Sequence, residues 1–379
     1  VRYILYFLWF GMAIEINKNF FKKFINQAKF LITFNTYMIF ITLFVNIDLM
    51  VQIKSICYLI IVYSIFIYYY NNSKYVKFQK YLCYFLIFDW TSVGINTYFQ
   101  LQKNPLLARF LSTDLETREK LLGQSTFFGV GSYGYFYALV GVILLLAFLF
   151  LNQRNRKIIL FLAVVFALLI LLKSAFTIAI LLAIIFVVLI IMSKYMNKYI
   201  LFNTILTGIL LLFMSRGVFA YIFMSFAEVQ GIPTEVSVRL TELANYLSNH
   251  NISGTDLGAR VRLYLQSIEA FVNNILWGIV SKTDGQKLLG NHSAWLDLLG
   301  TFGLFSIPFF MFLYEAYKYC KKTIPKHFLP FVNIYWLYFI CLGFINTLLF
   351  APIYTVWFLF LPMFINANYQ EKRQRYYFM

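Results

Sequence analysis

Leu288-Leu289-Gly290-Asn291-His292-Ser293-Ala294-Trp295-Leu296-Asp297 is where this chain passes from polar sequence back into apolar sequence. The decapeptide closes the segment 227–303, the one long stretch that is not overwhelmingly apolar. Outside it, the composition leaves little choice of solvent. With 61% hydrophobic residues, 12% charged residues and a mean hydropathy of +0.73, the chain is too apolar for a soluble globular protein. The unit of reading is therefore the apolar segment of roughly 20 residues that spans about 30 Å of hydrocarbon.

Such segments fall at roughly 1–17, 30–50, 55–70, 80–99, 125–151, 158–172, 174–193, 199–226, 294–316, 328–350 and 352–368, eleven in all. The pair meeting at Lys173-Ser174 is too long for one span, so a tight hairpin is expected there. The fold expected is an all-α integral membrane protein with eleven transmembrane helices. Residues 1–226 carry helices one to eight with an external loop near 100–124, residues 227–293 form one large external loop, and residues 294–379 carry helices nine to eleven and a basic tail. The first residues lack a basic flank and a small-residue cleavage site, so they are expected to stay as a spanning helix.

Orientation follows from alternate loops. Lys18, Lys22, Lys23 and Lys29, then Lys74, Lys77 and Lys80, then Arg154, Arg156 and Lys157, then Lys194 and Lys198, then Lys318, Lys321, Lys322 and Lys326, and finally Lys372, Arg373 and Arg375 stand in loops nearly free of acids. By the positive-inside rule these loops face the cytoplasm, which puts the N-terminus and the loop 227–291 outside. The net charge of +17 is thus a topology signal, and no nucleic acid is expected as partner. The second external loop mixes Lys103, Arg109, Asp114, Glu116, Arg118, Glu119 and Lys120, a composition that suits a folded, partner-binding surface.

Cys57, Cys83, Cys320 and Cys341 have no metal-ligand spacing, and neither a disulfide nor a zinc site is expected. No internal repeat or nucleotide-binding glycine motif is visible. The cluster Phe128-Gly129-Val130-Gly131-Ser132-Tyr133-Gly134-Tyr135 opens a membrane helix and is read as close helix packing.

Within the large loop, 238–247 and 261–272 have helical apolar spacing and predict two amphipathic helices near the membrane surface. They bring Arg239, Arg260 and Arg262 near the headgroup plane, where a guanidinium fork matches phosphate oxygens. The alternative partners are lipid headgroups or the loop's own acids, Glu228, Glu235, Glu242, Asp256 and Glu269. Arg216 lies inside an apolar segment roughly 25 Å from its cytoplasmic end, either snorkelling or functional. His292 stands where loop becomes helix, with Asn291 or Ser293 available as N-cap. Free amides at that helix start favour anions and disfavour imidazolium, so a neutral, proton-accepting histidine is expected. His250 and His327 compete weakly. Asp297 and Asp89 are acids at membrane depth that need partners, and either could hold an arginine in place. The separation of Asp297 from His292 does not place the two on one helix face, so a simple dyad is not predicted.

The run Gly258-Ala259-Arg260-Val261-Arg262-Leu263-Tyr264, then Ser267, Phe271, Asn273-Asn274 and Gly278, then Gly290-Asn291-His292-Ser293 with Leu296-Asp297 and Gly303-Leu304, resembles the O-antigen ligase and polymerase superfamily. It looks most like the Wzy-type capsular or exopolysaccharide repeat-unit polymerases. The resemblance implies a GT-C-like, metal-independent, inverting glycosyltransferase of the bacterial cell membrane, with no cofactor. It joins undecaprenyl-diphosphate-linked oligosaccharides at the outer face, and 227–293 becomes the catalytic loop. It implies Arg260 as the arginine that binds the pyrophosphate and His292 as the base that activates the acceptor hydroxyl. Arg239, Arg262 and Arg216 are further candidates for the pyrophosphate, and Asp297 for support. Membrane lipids, and a flippase and chain-length regulator of the same pathway, are the partners it implies. Lys173-Ser174-Ala175-Phe176 departs from the pattern where a Ser-Arg pair often stands. The competing readings are a ligase of the same superfamily, a lipid-linked oligosaccharide flippase, and a sensor or scaffold without catalysis.

Overall fold

A computed structural model describes residues 2–44, 49–70, 73–104, 107–108, 111, 129–152, 157–174, 176–196, 203, 216–230, 234–249, 255–281, 289–348 and 351–377. Among the described residues every regular element is helical. In chain order these are α1 (Arg2–Ile16), α2 (Lys18–Phe44), α3 (Met50–Tyr70), α4 (Val76–Lys103), α5 (Tyr133–Asn152), α6 (Lys157–Lys173), α7 (Thr177–Tyr195), α8 (Arg216–Ala227), α9 (Thr234–Asn249), α10 (Asp256–Asn273), α11 (Ala294–Phe302), α12 (Ile307–Thr323), α13 (Leu329–Ile345), α14 (Ala351–Thr355) and α15 (Leu361–Tyr377). A 3-10 turn, Gly303–Ser306, carries α11 into α12, and a π turn, Val356–Phe360, carries α14 into α15.

The chain is an all-α, multi-pass membrane protein, and among the described residues seven helices are long and apolar enough to cross a bilayer: Lys18–Phe44, Gln52–Tyr70, Tyr133–Asn152, Thr177–Tyr195, Ala294–Thr323, Lys326–Ile345 and Ala351–Tyr369. The other four apolar segments meet that standard only in part, each for its own reason. At 15 residues α1 reaches about 22 Å, and at 17 residues α6 reaches about 26 Å, both short of the hydrocarbon thickness. With 28 residues α4 has the length, but Lys77, Gln79, Lys80 and Asp89 dilute its apolar character. Of the segment 199–226, only residue 203 and residues 216–226 are among the described ones.

The structure moves some expected boundaries. Lys18, Lys22, Lys23 and Lys29 are not in a loop: they ride on the first turns of α2, as Lys77 and Lys80 ride on the start of α4 and Lys318, Lys321 and Lys322 on the end of α12. A 27-residue helix exceeds the hydrocarbon by about two turns and lysine stems are long, so its lysines reach water without leaving the helix. The chain does break between α6 and α7, where the Ser174 hydroxyl donates to the Leu171 carbonyl at 2.6 Å and accepts from the Phe176 amide at 3.3 Å. Two helices also stand where apolar spacing in the polar stretch places them, α9 and α10. On α9, Val236, Leu240 and Ala244 are buried at successive turns. The loop near 100–124 lies almost wholly outside the described residues.

Two compact units are formed, one from Val1–Phe88, Tyr264–Val332 and Phe339–Met379, the other from Asp89–Leu263 and Asn333–Tyr338. In the second, α5 is apolar all round and buried on every face, with α6 and α7 packed against it. The Gly131 amide donates to Thr97 Oγ1 at 2.7 Å, and a Cβ at Gly94 would stand 2.8 Å from the Tyr135 hydroxyl and 2.9 Å from Ile170 Cδ1. The glycines around Tyr135 thus serve close packing, as read from the sequence.

The first unit is held by interlocked rings. Phe34 meets Phe302 edge-on at 5.2 Å, Tyr63 meets Phe312 edge-on at 5.0 Å, and Phe339 packs on Trp357 at 5.3 Å. In lipid there is no hydrophobic drive to join helices, so shape and hydrogen bonds must do it. Buried Gln79 accordingly donates to the Tyr69 carbonyl at 2.6 Å, and buried Asn366 donates to Gln79 Oε1 at 3.1 Å and to the Tyr70 carbonyl at 3.2 Å.

Below the end of α10 the backbone crosses itself. Gly278 has φ +66° and Gly303 φ +55°, both in the left-handed region, and the Leu304 amide donates to the Ile275 carbonyl at 2.9 Å. A Cβ on Gly278 would overlap the Thr301 carbonyl, and one on Gly303 would overlap that of Ile275. Gly303→Ala should therefore cost at least about 1–2 kcal/mol from φ alone. The measurement is the thermal unfolding midpoint in detergent; an unchanged midpoint would show that the crossing is not a constraint.

Candidate functional site

The turn 289–293 lies in the first unit, where α10, α11 and α13 converge. Asp297, in the first turn of α11, reaches back over it. Its Oδ1 accepts from the Ser267 hydroxyl at 2.6 Å and from the Asn291 amide at 3.2 Å, and its Oδ2 accepts from the Ser293 amide at 3.0 Å. Ser267 Oγ in turn accepts from the Gly290 amide at 3.0 Å. The backbone on both sides of His292 is thus tied to two side chains, Ser267 and Asp297.

Each link has a local cause. Asn291 takes φ +55°, a conformation asparagine tolerates better than most residues. Ser293 is the N-cap of α11: its hydroxyl accepts from the Leu296 amide at 3.3 Å and donates to the Gly343 carbonyl at 3.2 Å. The Ala294 amide donates to the Asn346 carbonyl at 3.1 Å, and Trp295 Nε1 to the Ile340 carbonyl at 2.8 Å. The Trp295 ring lies so close to Gly343 that a Cβ there would overlap it. From α10, the Tyr264 hydroxyl donates to the Ile345 carbonyl at 2.9 Å. The start of α11 is therefore stapled to the end of α13 through backbone acceptors at Ile340, Gly343 and Asn346.

One sequence expectation is corrected here, and one pairing left open is decided. The amides before α11 are not free to attract an outside anion, because the Asp297 carboxylate already accepts from two of them and Ser293 and Asn346 accept from others. Nor does Asp297 hold an arginine: among the described residues its partners are Ser267 and backbone amides. Hydroxyl and amide donors meet the needs of a partly buried carboxylate as an ion pair would. Ser293, of the two candidate N-caps, is the one used.

The remaining predicted residues divide. Arg239 pairs with Glu242 at 3.1 Å within α9, the loop acid rather than an outside phosphate being its visible partner. Arg262 is exposed on α10, and Arg216, half-buried, opens α8. Arg260 is half-buried on α10, and its Nη1 is fully buried with no hydrogen-bond partner among the described residues. The same holds for His292 Nδ1 on a half-buried ring. Among the described residues, no other arginine or histidine shows such an atom. A buried polar atom without a partner costs about 1–3 kcal/mol and calls for an explanation, here and at a core group such as Tyr63 that shares the feature. Asp89 is exposed on α4, and His327 packs against Phe328 and Tyr369. Lys173 is exposed at the end of α6, next to buried Ser174. The four cysteines are free, and among the described residues no three His, Cys, Asp or Glu side chains converge as metal ligands. His250, Arg109 and the segment 282–288 lie outside the described residues.

Sequence reasoning gave Ser267 no role, although it stands in the quoted motif. Its pairing with Asp297 joins residues on different helices, and no local spacing rule links them. No family model matches the chain, and no curated protein matches it.

The amides of Asn291 and Ser293 are expected to be protected from hydrogen exchange, and Asp297→Ala, which leaves neither acceptor oxygen, should remove that protection at both. Mass spectrometry of the peptide covering 289–297 checks this; equal exchange in the two proteins would refute the clamp.

Proposed function

We propose that this protein is a polysaccharide polymerase: a glycosyltransferase that moves a growing glycan from its undecaprenyl diphosphate carrier onto the terminal sugar of the next lipid-linked repeat unit. The observation that carries the reading is that Arg260 and His292, the residues singled out by the family resemblance, each bury a polar atom without a partner among the described residues. Arg260 binds the pyrophosphate of the donor, and His292 takes the proton from the acceptor hydroxyl. The acceptor oxygen bonds to the donor's anomeric carbon from the face opposite the carrier, the bond from that carbon to the phosphate oxygen breaks, and undecaprenyl diphosphate leaves. The configuration inverts, and electrons and protons balance with no further reactant. A diphosphate is already a good leaving group, so charge neutralisation, alignment of two substrates and one proton acceptor are the contributions required of the protein.

Eleven spanning helices, a GT-C-like arrangement and an outer-face location for the turn 289–293 in a bacterial cell membrane belong to this proposal. The alternation of basic and mixed loops supports them. A flippase reading gains little from the two compact units, because each is drawn from separated stretches of chain and they are not successive halves.

Purified protein in nanodiscs, given undecaprenyl-diphosphate-linked repeat units alone, should build a ladder of products. His292→Ala should slow it by about 10²–10⁴-fold, the usual worth of a general base. Arg260→Ala should leave single repeat units, and Arg260→Lys should remain poor because a point charge cannot replace a planar fork. Normal ladders from the His292→Ala and Arg260→Ala proteins would refute the assignment; transfer only to a different acceptor would make the protein a ligase. Topology has its own test: in a background without the native cysteines, Thr283→Cys should react with a membrane-impermeant maleimide from outside the cell. Labelling only after lysis would place the loop in the cytosol and end the reading.

A further inference from the structure

We propose that Ser267 and Asp297 form one positioning couple for His292, holding the turn 290–293 so that the ring presents its nitrogen to the acceptor in a single orientation. The proposal rests on the reading of His292 as the base. Its ground is the bond inventory of the turn. Gly290, Asn291 and Ser293 all donate to this couple, and Ser267 donates to Asp297 at 2.6 Å, which closes the ring of bonds around the histidine's own backbone. Ser267 is 1% exposed, so its hydroxyl has no water to turn to.

The couple is built into the helix packing. A Cβ at Gly300 would stand 3.0 Å from the Ser267 carbonyl and 2.9 Å from Leu289 Cδ2, so the missing side chain is what lets α11 lie against α10 at this level. The two units of the couple come from different helices, and neither holds the turn alone. Ser267 accepts from the Gly290 amide, and Asp297 from those of Asn291 and Ser293.

The charge has a second consequence. A carboxylate occupies the seat that the amides before α11 would otherwise offer an anion, so a diphosphate is not held there and must be neutralised by cations elsewhere. Asp297 also lies within electrostatic reach of His292. The positive charge that proton uptake places on the ring therefore arises within reach of a negative one, although Asp297 makes no hydrogen bond to Nδ1 of that ring.

Carbethoxylation of His292 by diethyl pyrocarbonate, followed by peptide mass spectrometry on the full-length protein in nanodiscs, reads the ring without reference to turnover. Ser267→Ala and Asp297→Asn should change its rate severalfold while His327 in the same molecules keeps its own. Ser267→Thr, which retains the hydroxyl, should bring the His292 rate back towards that of the wild type. Ser267→Cys, similar in volume but a weak donor and acceptor, stands in should Ser267→Ala not fold. In the transfer assay the same Ala and Asn changes should lower kcat by about 10²-fold with KM little altered, the size expected of a misplaced group. The double variant should be no worse than the poorer single one. An unchanged His292 rate, or an equal change at His327, would overturn the couple. Wild-type protein that makes no polymer would overturn the polymerase reading instead, whatever the carbethoxylation result.

Discussion

The Asp297 carboxylate and the amides of the turn before it satisfy each other, and the geometry around His292 depends on that exchange. A carboxylate withdrawn from water needs several donors, and a stretch of irregular backbone between membrane helices needs acceptors. Asn291, Ser293 and Ser267 supply the donors, at 3.2, 3.0 and 2.6 Å. Once they are spent on Asp297, the turn has one shape: Asn291 must take its left-handed conformation, Ser293 must cap α11, and α10 must approach closely enough for Ser267 to reach. Gly300 permits that approach, and the crossing of Gly278 and Gly303 fixes it one level below. What looks in sequence like a scatter of glycines and small polar residues is, in space, one set of mutually required contacts.

Much of the architecture was legible because it depends on solvent. Apolar runs of membrane length predict helices regardless of what packs against them, and α9 and α10 appear where apolar spacing puts them. Boundaries were less legible, for a physical reason. Lys18 to Lys29 read as loop when hydropathy is the only guide, yet lysine is a good helix former with a stem long enough to carry its charge to water, so α2 simply continues through them. The number of spanning helices is blurred by the same competition, in which α1 and α6 are apolar but short and α4 is long but diluted.

Within the site, single residues were more legible than their pairings. His292, Arg260 and Asp297 each stand out because a charged or titratable group is rare and costly in such sequence. Their partners do not stand out, because contacts between separate helices leave no trace in local spacing. An arginine could have held Asp297, and the sequence left that pairing open: opposite charge is one way to satisfy a buried carboxylate, but a hydroxyl and two amides do it with less loss of side-chain freedom. Arg239 shows the converse. Its acid lies three residues away on the same helix, at a spacing that local rules do recognise, and the structure pairs them.

The contrast between Arg239 and Arg260 also bears on how charge is divided in the site. An arginine with an acid at 3.1 Å is already neutralised and has little to gain from an incoming anion, whereas Arg260 buries an Nη1 that has no hydrogen-bond partner among the described residues. The start of α11, usually a seat for anions, is closed by Asp297 and cannot share the task. In the proposed reaction the amides of Asn291 and Ser293 would therefore be closed to a negatively charged substrate. That closure suits the chemistry proposed, because a base must meet a hydroxyl, and a phosphate bound at the same amides would block it.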